Sequence, residues 1–211
     1  MAYDDFLFPF YLREELEGRA GGNPSFNTGV DYTKQLKSSA NYGEVVALYQ
    51  AAGLNLDGDL ATLNATTRIA ADPGALTYLT KNIIFNGQLS VPVLTLHTTG
   101  DGLVPVEVAK AHSTVVREAV NKTLLPETFV HRAGHCEFTP AETITALRTL
   151  ELRLTTGKWR DLGAWQLNNE ADELGPAYHV LDINNTSLYT PPEFLTYQPL
   201  LFLRVYDAFT K

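Results

Sequence analysis

Residues 90–155 constrain the fold of this chain more than any other stretch, because a strand-like run, a glycine-bearing loop and a helix-like run follow one another there twice. The first run, Val91-Pro92-Val93-Leu94-Thr95-Leu96-His97, is continuously aliphatic and β-branched, the pattern of a strand buried on both faces. A loop from Thr98 to Val104 follows, and Pro105 opens a helix reaching about Val120. Glu127-Thr128-Phe129-Val130-His131 reads as a second short strand, and after another loop a helix runs from Pro140 to Leu154. Strand, helix, strand, helix in this order implies a parallel sheet with helices packed on it, an α/β architecture. Two strands are too few to complete such a sheet.

The flanks have a different character. Residues 1–89 read as short helices: Phe10 to Arg19, stopped by Ala20-Gly21-Gly22-Asn23-Pro24; Asp31 to Lys37; Tyr42 to Ala52, ended by Gly53; Asp57 to Asn64; and Pro73 to Asn82 with Asp72 as N-cap. Short helices joined by polar loops do not readily close a core alone, so this zone reads as a helical cap or lid laid over another structure. Residues 156–211, rich in Asn, Pro and Tyr, read as a C-terminal extension with strand-like runs at Ala177 to Ile183 and Leu200 to Val205. Trp159 and Trp165 are expected to anchor it to the core.

Composition narrows the function classes. The net charge of −8, from 16 Lys+Arg against 24 Asp+Glu, disfavours nucleic acid and anionic membranes as partners. No apolar run approaches the ~20 residues of a membrane span, and the acidic start Met-Ala-Tyr-Asp-Asp-Phe is unlike a signal peptide. The expectation is a soluble protein, with secretion kept open by the sequons at Asn64, Asn121, Asn184 and Asn185. Cys136 is the single cysteine, which rules out an internal disulfide and any zinc site built on two or more cysteines. The acidic clusters Asp4-Asp5, Asp57-Gly58-Asp59 and Glu170 to Glu173 lack the calcium-loop pattern and read as solvated surface.

In an open parallel sheet the loops leaving the carboxyl ends of the strands form the crevice where chemistry is done. Two motifs fall in such loops. In Thr99-Gly100-Asp101-Gly102-Leu103-Val104-Pro105 a carboxylate stands just past a strand, flanked by glycines that permit a tight turn. In Ala133-Gly134-His135-Cys136-Glu137-Phe138 a histidine stands just past the next strand, with Gly134 allowing close backbone approach. Gly-Asp-Gly alone is most simply a turn. Paired with His135, Asp101 instead reads as the acid that fixes one imidazole tautomer and stabilises the imidazolium formed when histidine takes a proton from a nucleophile. His97, His112, His131 and His179 show no such partner spacing and read as structural. Cys136 raises the thought of a Cys-His nucleophile, but neighbouring side chains point in different directions, so its base would have to come from elsewhere. Glu137 is open between orienting the histidine loop and being a solvated acid.

The run from Pro92 to Pro105, followed by Gly134-His135 with the histidine 34 positions after Asp101, resembles the last two catalytic loops of an α/β-hydrolase. The chain order in that superfamily is Ser, then Asp, then His. The resemblance implies that Asp101 matches the triad acid and His135 the triad histidine, with residues 1–89 as the end of a cap inserted before the acid-bearing strand. The superfamily's nucleophile elbow, G-x-S-x-G, occurs nowhere: Ser25, Ser38, Ser39, Ser90, Ser113 and Ser187 all lack the flanking glycines, and no HGGG-type oxyanion loop is present.

The reading is therefore the C-terminal portion of an α/β-hydrolase parallel sheet with a helical cap segment. It would be a fragment or subunit of a serine hydrolase cleaving ester or amide bonds, inactive alone. The expected partners are a small-molecule or peptide substrate and an N-terminal hydrolase half carrying the serine, with no cofactor and no metal. A non-catalytic interaction module and a truncated gene product are the alternatives.

Overall fold

A computed structural model describes residues 2–39, 41–119, 122–183 and 186–200. The chain is mixed α/β, about half helical, with a small incomplete sheet. It divides into two compact units, one over Met1–Ile84 and one over Phe85–Leu201.

The first unit holds five helices: α1 (Ala2–Ala20), α2 (Tyr32–Lys37), α3 (Tyr42–Ala52), α4 (Leu56–Ala65) and α5 (Pro73–Asn82). Their ends follow from local chemistry. The side chains of Asp31, Asn55 and Asp72 accept N–H groups of the first turns of α2, α4 and α5, and Gly53, at φ 65°, closes α3 in the left-handed conformation glycine tolerates. Among the described residues Ala20, Pro24, Leu60 and Ala75 are the buried apolar side chains here, while Leu48, Leu54, Leu63 and Ile69 are exposed. Polar stitches compensate. Asn64 accepts from the Tyr32 backbone N–H at 2.9 Å and donates to Thr33 Oγ1 at 3.0 Å, tying α4 to α2. That sequon asparagine is thus engaged inside the fold; Asn121, Asn184 and Asn185 lie outside the described residues.

The second unit begins its sheet with β1 (Thr95–Gly100), followed by α6 (Glu107–Glu118), β2 (Glu127–Ala133) and α7 (Pro140–Thr156). β1 and β2 are parallel, with Thr95 opposite Glu127 and Thr98 opposite Val130. The extension then supplies α8 (Ala164–Asp172), a hairpin of β3 (Val180–Ile183) and β4 (Thr186–Tyr189), and β5 (Phe194–Leu195). β5 joins β2 antiparallel, Val130 facing Phe194, giving the order β1-β2-β5. The core gathers Val130, Ala141, Leu167, Ala171 and Phe194, with Leu96, Phe138, Leu162 and Leu174 against it. Helices α7 and α8 therefore cover one face of the sheet.

Three expectations need correction. The sheet is mixed, because the extension returns a strand to it in the opposite direction. The first strand is shifted and is not buried on both faces: Val91 to Leu94 precede the ladder, Val91 is 59% exposed, and in β1 only Thr98 is buried. The physical reason is position, since among the described residues β1 has a neighbour on one side only. Trp165 is 75% exposed instead of packed on the core, whereas Trp159 donates its indole N–H to Thr123 O at 2.9 Å under the Arg153 guanidinium. The run Leu200 to Val205 extends beyond the described residues.

Candidate active site

Both motif loops leave the carboxyl ends of β1 and β2 side by side, and small residues make this possible. Gly134 donates its N–H to Gly100 O at 3.1 Å, and Thr98 Oγ1 donates to Gly134 O at 2.6 Å. A Cβ on Gly100 would stand 3.1 Å from Ala133 Cα. Gly134 sits at φ 105°, and a Cβ there would meet Glu137 Cγ at 2.4 Å, so the turn carrying His135 requires glycine on two counts.

Asp101 and His135 meet across this seam. Asp101 Oδ1 accepts the backbone N–H groups of Leu103 at 2.9 Å and Val104 at 2.8 Å. Its Oδ2 lies 2.8 Å from His135 Nδ1. The acid is almost enclosed, its side chain 4% exposed, while the imidazole is 42% exposed. Burial by itself pushes the Asp101 carboxyl up. The Val104 N–H, His135 and the Leu103 N–H outweigh it, and the net shift is downward from the ordinary 3.8. A carboxylate that stays ionised next to Nδ1 assigns the proton to Nδ1 and leaves Nε2 as the acceptor.

The next residue occupies that free nitrogen's neighbourhood. Cys136 Sγ lies 3.6 Å from His135 Nε2, and Cys136 is exposed. The expectation that adjacent side chains must diverge fails because Cys136 takes φ 58°, the left-handed conformation, which folds its side chain back toward the preceding ring. No serine hydroxyl among the described residues is hydrogen-bonded to His135.

The loop is braced from behind by a network that the residue pattern around His135 did not bring out. Glu142, completely buried, receives N–H groups from Arg132 Nη1 at 2.7 Å and Nη2 at 3.0 Å, Thr139 at 2.8 Å and Glu193 at 2.9 Å. It closes a capping box with Thr139 at the start of α7. Arg132 Nη1 also donates to Glu137 O at 2.8 Å, and Nη2 to Pro191 O at 3.2 Å. The two ends of the segment bearing His135 are thus clamped by one guanidinium, with the C-terminal extension joining through Pro191 and Glu193. Thr139-Pro140-Ala141-Glu142 carries the legible signal, a capping box with Pro at the first helical position. Glu137 contributes its carbonyl and its stem packed over Gly134.

Of the other four histidines, His97 Nδ1 meets Thr98 O, His112 stands edge-on to Phe85 and buried His179 Nε2 meets Ala171 O, while His131 on β2 is exposed. Among the described residues no group of three or more His, Cys, Asp or Glu stands as a metal cluster. No described helix is long and apolar enough to cross a membrane.

Compared with known proteins, the chain is 36% identical over 157 residues to an o-phthalyl amidase of Xanthobacter agilis, a match covering 72% of this chain and 34% of that relative. The chain thus spans about a third of the length of the relative it matches. No protein-family model matches the chain, and no solved structure does.

Proposed function

We propose that this chain supplies the acid and the histidine of a Ser-Asp-His triad in a hydrolase of α/β-hydrolase type, cleaving an amide or ester bond of a small molecule or peptide. The carrying observation is the 2.8 Å contact between Asp101 Oδ2 and His135 Nδ1 at the carboxyl ends of adjacent parallel strands. The similarity to an amidase supports carbonyl chemistry and favours an amide among the possible substrates.

In this reading the serine and the oxyanion donors come from outside these 211 residues, on an N-terminal hydrolase half. His135 Nε2 takes the serine proton as the hydroxyl attacks the carbonyl carbon, and then returns it to the leaving nitrogen or oxygen. Asp101 remains ionised throughout, fixing the tautomer and stabilising the imidazolium. The helices of the first unit serve as part of the cap, and their exposed Leu48, Leu54 and Leu63 are surfaces for the missing half to cover.

The test is complementation. The chain is mixed with a serine-bearing segment, the unmatched part of the amidase being the first choice, and p-nitrophenyl ester and anilide hydrolysis are followed. The expected result is a rate gain that needs both chains and is lost with His135→Ala or with the partner's serine replaced by alanine. An assembly that forms while His135→Ala and Asp101→Ala leave its function untouched would instead make the chain a binding module.

A further inference from the structure

The Cys136 thiol is more than a neighbour of the candidate base. Three groups stand in line in this one chain: Asp101 Oδ2 2.8 Å from His135 Nδ1, and His135 Nε2 3.6 Å from Cys136 Sγ. An orienting acid, a base with one nitrogen free and a nucleophilic atom within reach of that nitrogen make up the minimum set for an activated thiol. Cys136 is also solvent-accessible, so an electrophile can reach the sulfur without any rearrangement of the fold. The brace from Arg132 to the Glu137 carbonyl at 2.8 Å holds the turn that keeps sulfur and imidazole together.

We propose that Cys136 is a nucleophilic thiol activated by His135, able to take an acyl group from an activated ester without any serine-bearing partner. In the step, the S–H bond breaks as Nε2 accepts the proton, and sulfur forms a bond to the carbonyl carbon. The C–O bond to the leaving group then breaks. With p-nitrophenyl acetate the leaving group departs as p-nitrophenolate, the proton on Nε2 passes to water, and Cys136 is left as its S-acetyl thioester. This inference rests on the Asp101–His135–Cys136 geometry within this chain and is independent of where a serine comes from.

The experiment uses the full chain with excess p-nitrophenyl acetate, following the burst of p-nitrophenolate by stopped flow and locating the acetyl group by peptide mass mapping. The expected result is acetylation at Cys136, no more than one group per chain in the burst, absent in Cys136→Ala. General-base assistance predicts that His135→Ala slows it at least about tenfold, with added imidazole restoring the rate in His135→Ala but giving no burst in Cys136→Ala. Because a substitution in this loop can disturb folding, the native wild-type chain is also compared with the same chain in denaturant. Acetylation of Cys136 should be at least about tenfold faster in the native chain. Equal native and denatured rates, or a rate unchanged in His135→Ala, overturn the proposal. Complementation by a serine-bearing half is expected to survive Cys136→Ala, so failure of the thiol inference leaves the triad reading standing, and the reverse holds too.

Discussion

Replacing Arg132 by methionine leaves Glu142 as a carboxylate with no exposed surface and two of its four N–H donors gone. Removing one member of a buried ion pair costs about 3–5 kcal/mol, because the survivor's charge is left uncompensated. The Thr139 and Glu193 N–H groups remain, so the lower end applies, about 3 kcal/mol. The loss is large against a domain stability of about 5–15 kcal/mol. With a urea m-value of about 2 kcal/mol per molar, the unfolding midpoint should fall by about 1.5 M. Both tryptophans, Trp159 and Trp165, lie in the second unit, so their fluorescence reports on the unit that holds the pair. Methionine keeps much of the stem packing, which confines the change to the guanidinium's charge and hydrogen bonds. Replacing Glu142 by leucine in the same background should recover part of the loss, since the stranded carboxylate is then removed. Hydrogen exchange of the Gly134 amide, bonded to Gly100 O, should accelerate in the single variant. A midpoint shift under about 0.3 M, the size expected of an exposed ion pair, would refute the claim that this pair braces the histidine loop.

Two further outcomes follow from the same geometry. The Asp101 carboxyl is held below its ordinary 3.8 in the folded chain, so its contribution to stability is complete above about pH 4 and is lost as the pH falls through the lower folded value. Acid unfolding curves of wild type and Asp101→Asn should therefore converge below about pH 4, and curves that stay parallel would count against the depressed carboxyl. Gly134→Ala should destabilise by about 1–3 kcal/mol from its φ of 105° alone, with an added clash against Glu137 Cγ at 2.4 Å. Adding Glu137→Ala should relieve the clash but not the backbone strain, so urea titration of the double variant should recover only the clash part of the loss.

What the sequence discloses here follows the range of the forces involved. The end of α3 and the start of α5 are set by groups a few residues apart, so Gly53, Asp72 and Pro73 mark them as accurately in the sequence as in space, whereas α1, read from Phe10, begins at Ala2. The order of strands and helices over 90–155 is equally legible, since it depends on local hydrophobic pattern. The offset of β1 is not, because Val91 to Leu94 have the composition of a strand interior and their exposure depends on which neighbours a strand has. β5 has only two residues, and what defines it is pairing with Phe129 and Val130, about 65 positions earlier, a contact without periodicity to announce it. At the site, Asp101 and His135 are legible from their loops. The fold-back of Cys136 is not legible, because a non-glycine residue in the left-handed region has no sequence signature, nor is the brace by Arg132, whose partners are carbonyls and a carboxylate from three separate segments.

The central claim is that Asp101 holds His135 as a base for an acyl-transfer reaction. The measurement that bears on it most directly is kcat/KM for anilide hydrolysis by the complemented assembly, with Asp101 against Asp101→Asn at equal occupancy. An acid that sets the tautomer predicts a fall of about 10³–10⁴-fold, since asparagine favours the wrong tautomer while leaving the fold in place. A variant within about tenfold of wild type would contradict the account and reduce the Asp101–His135 contact to a structural hydrogen bond.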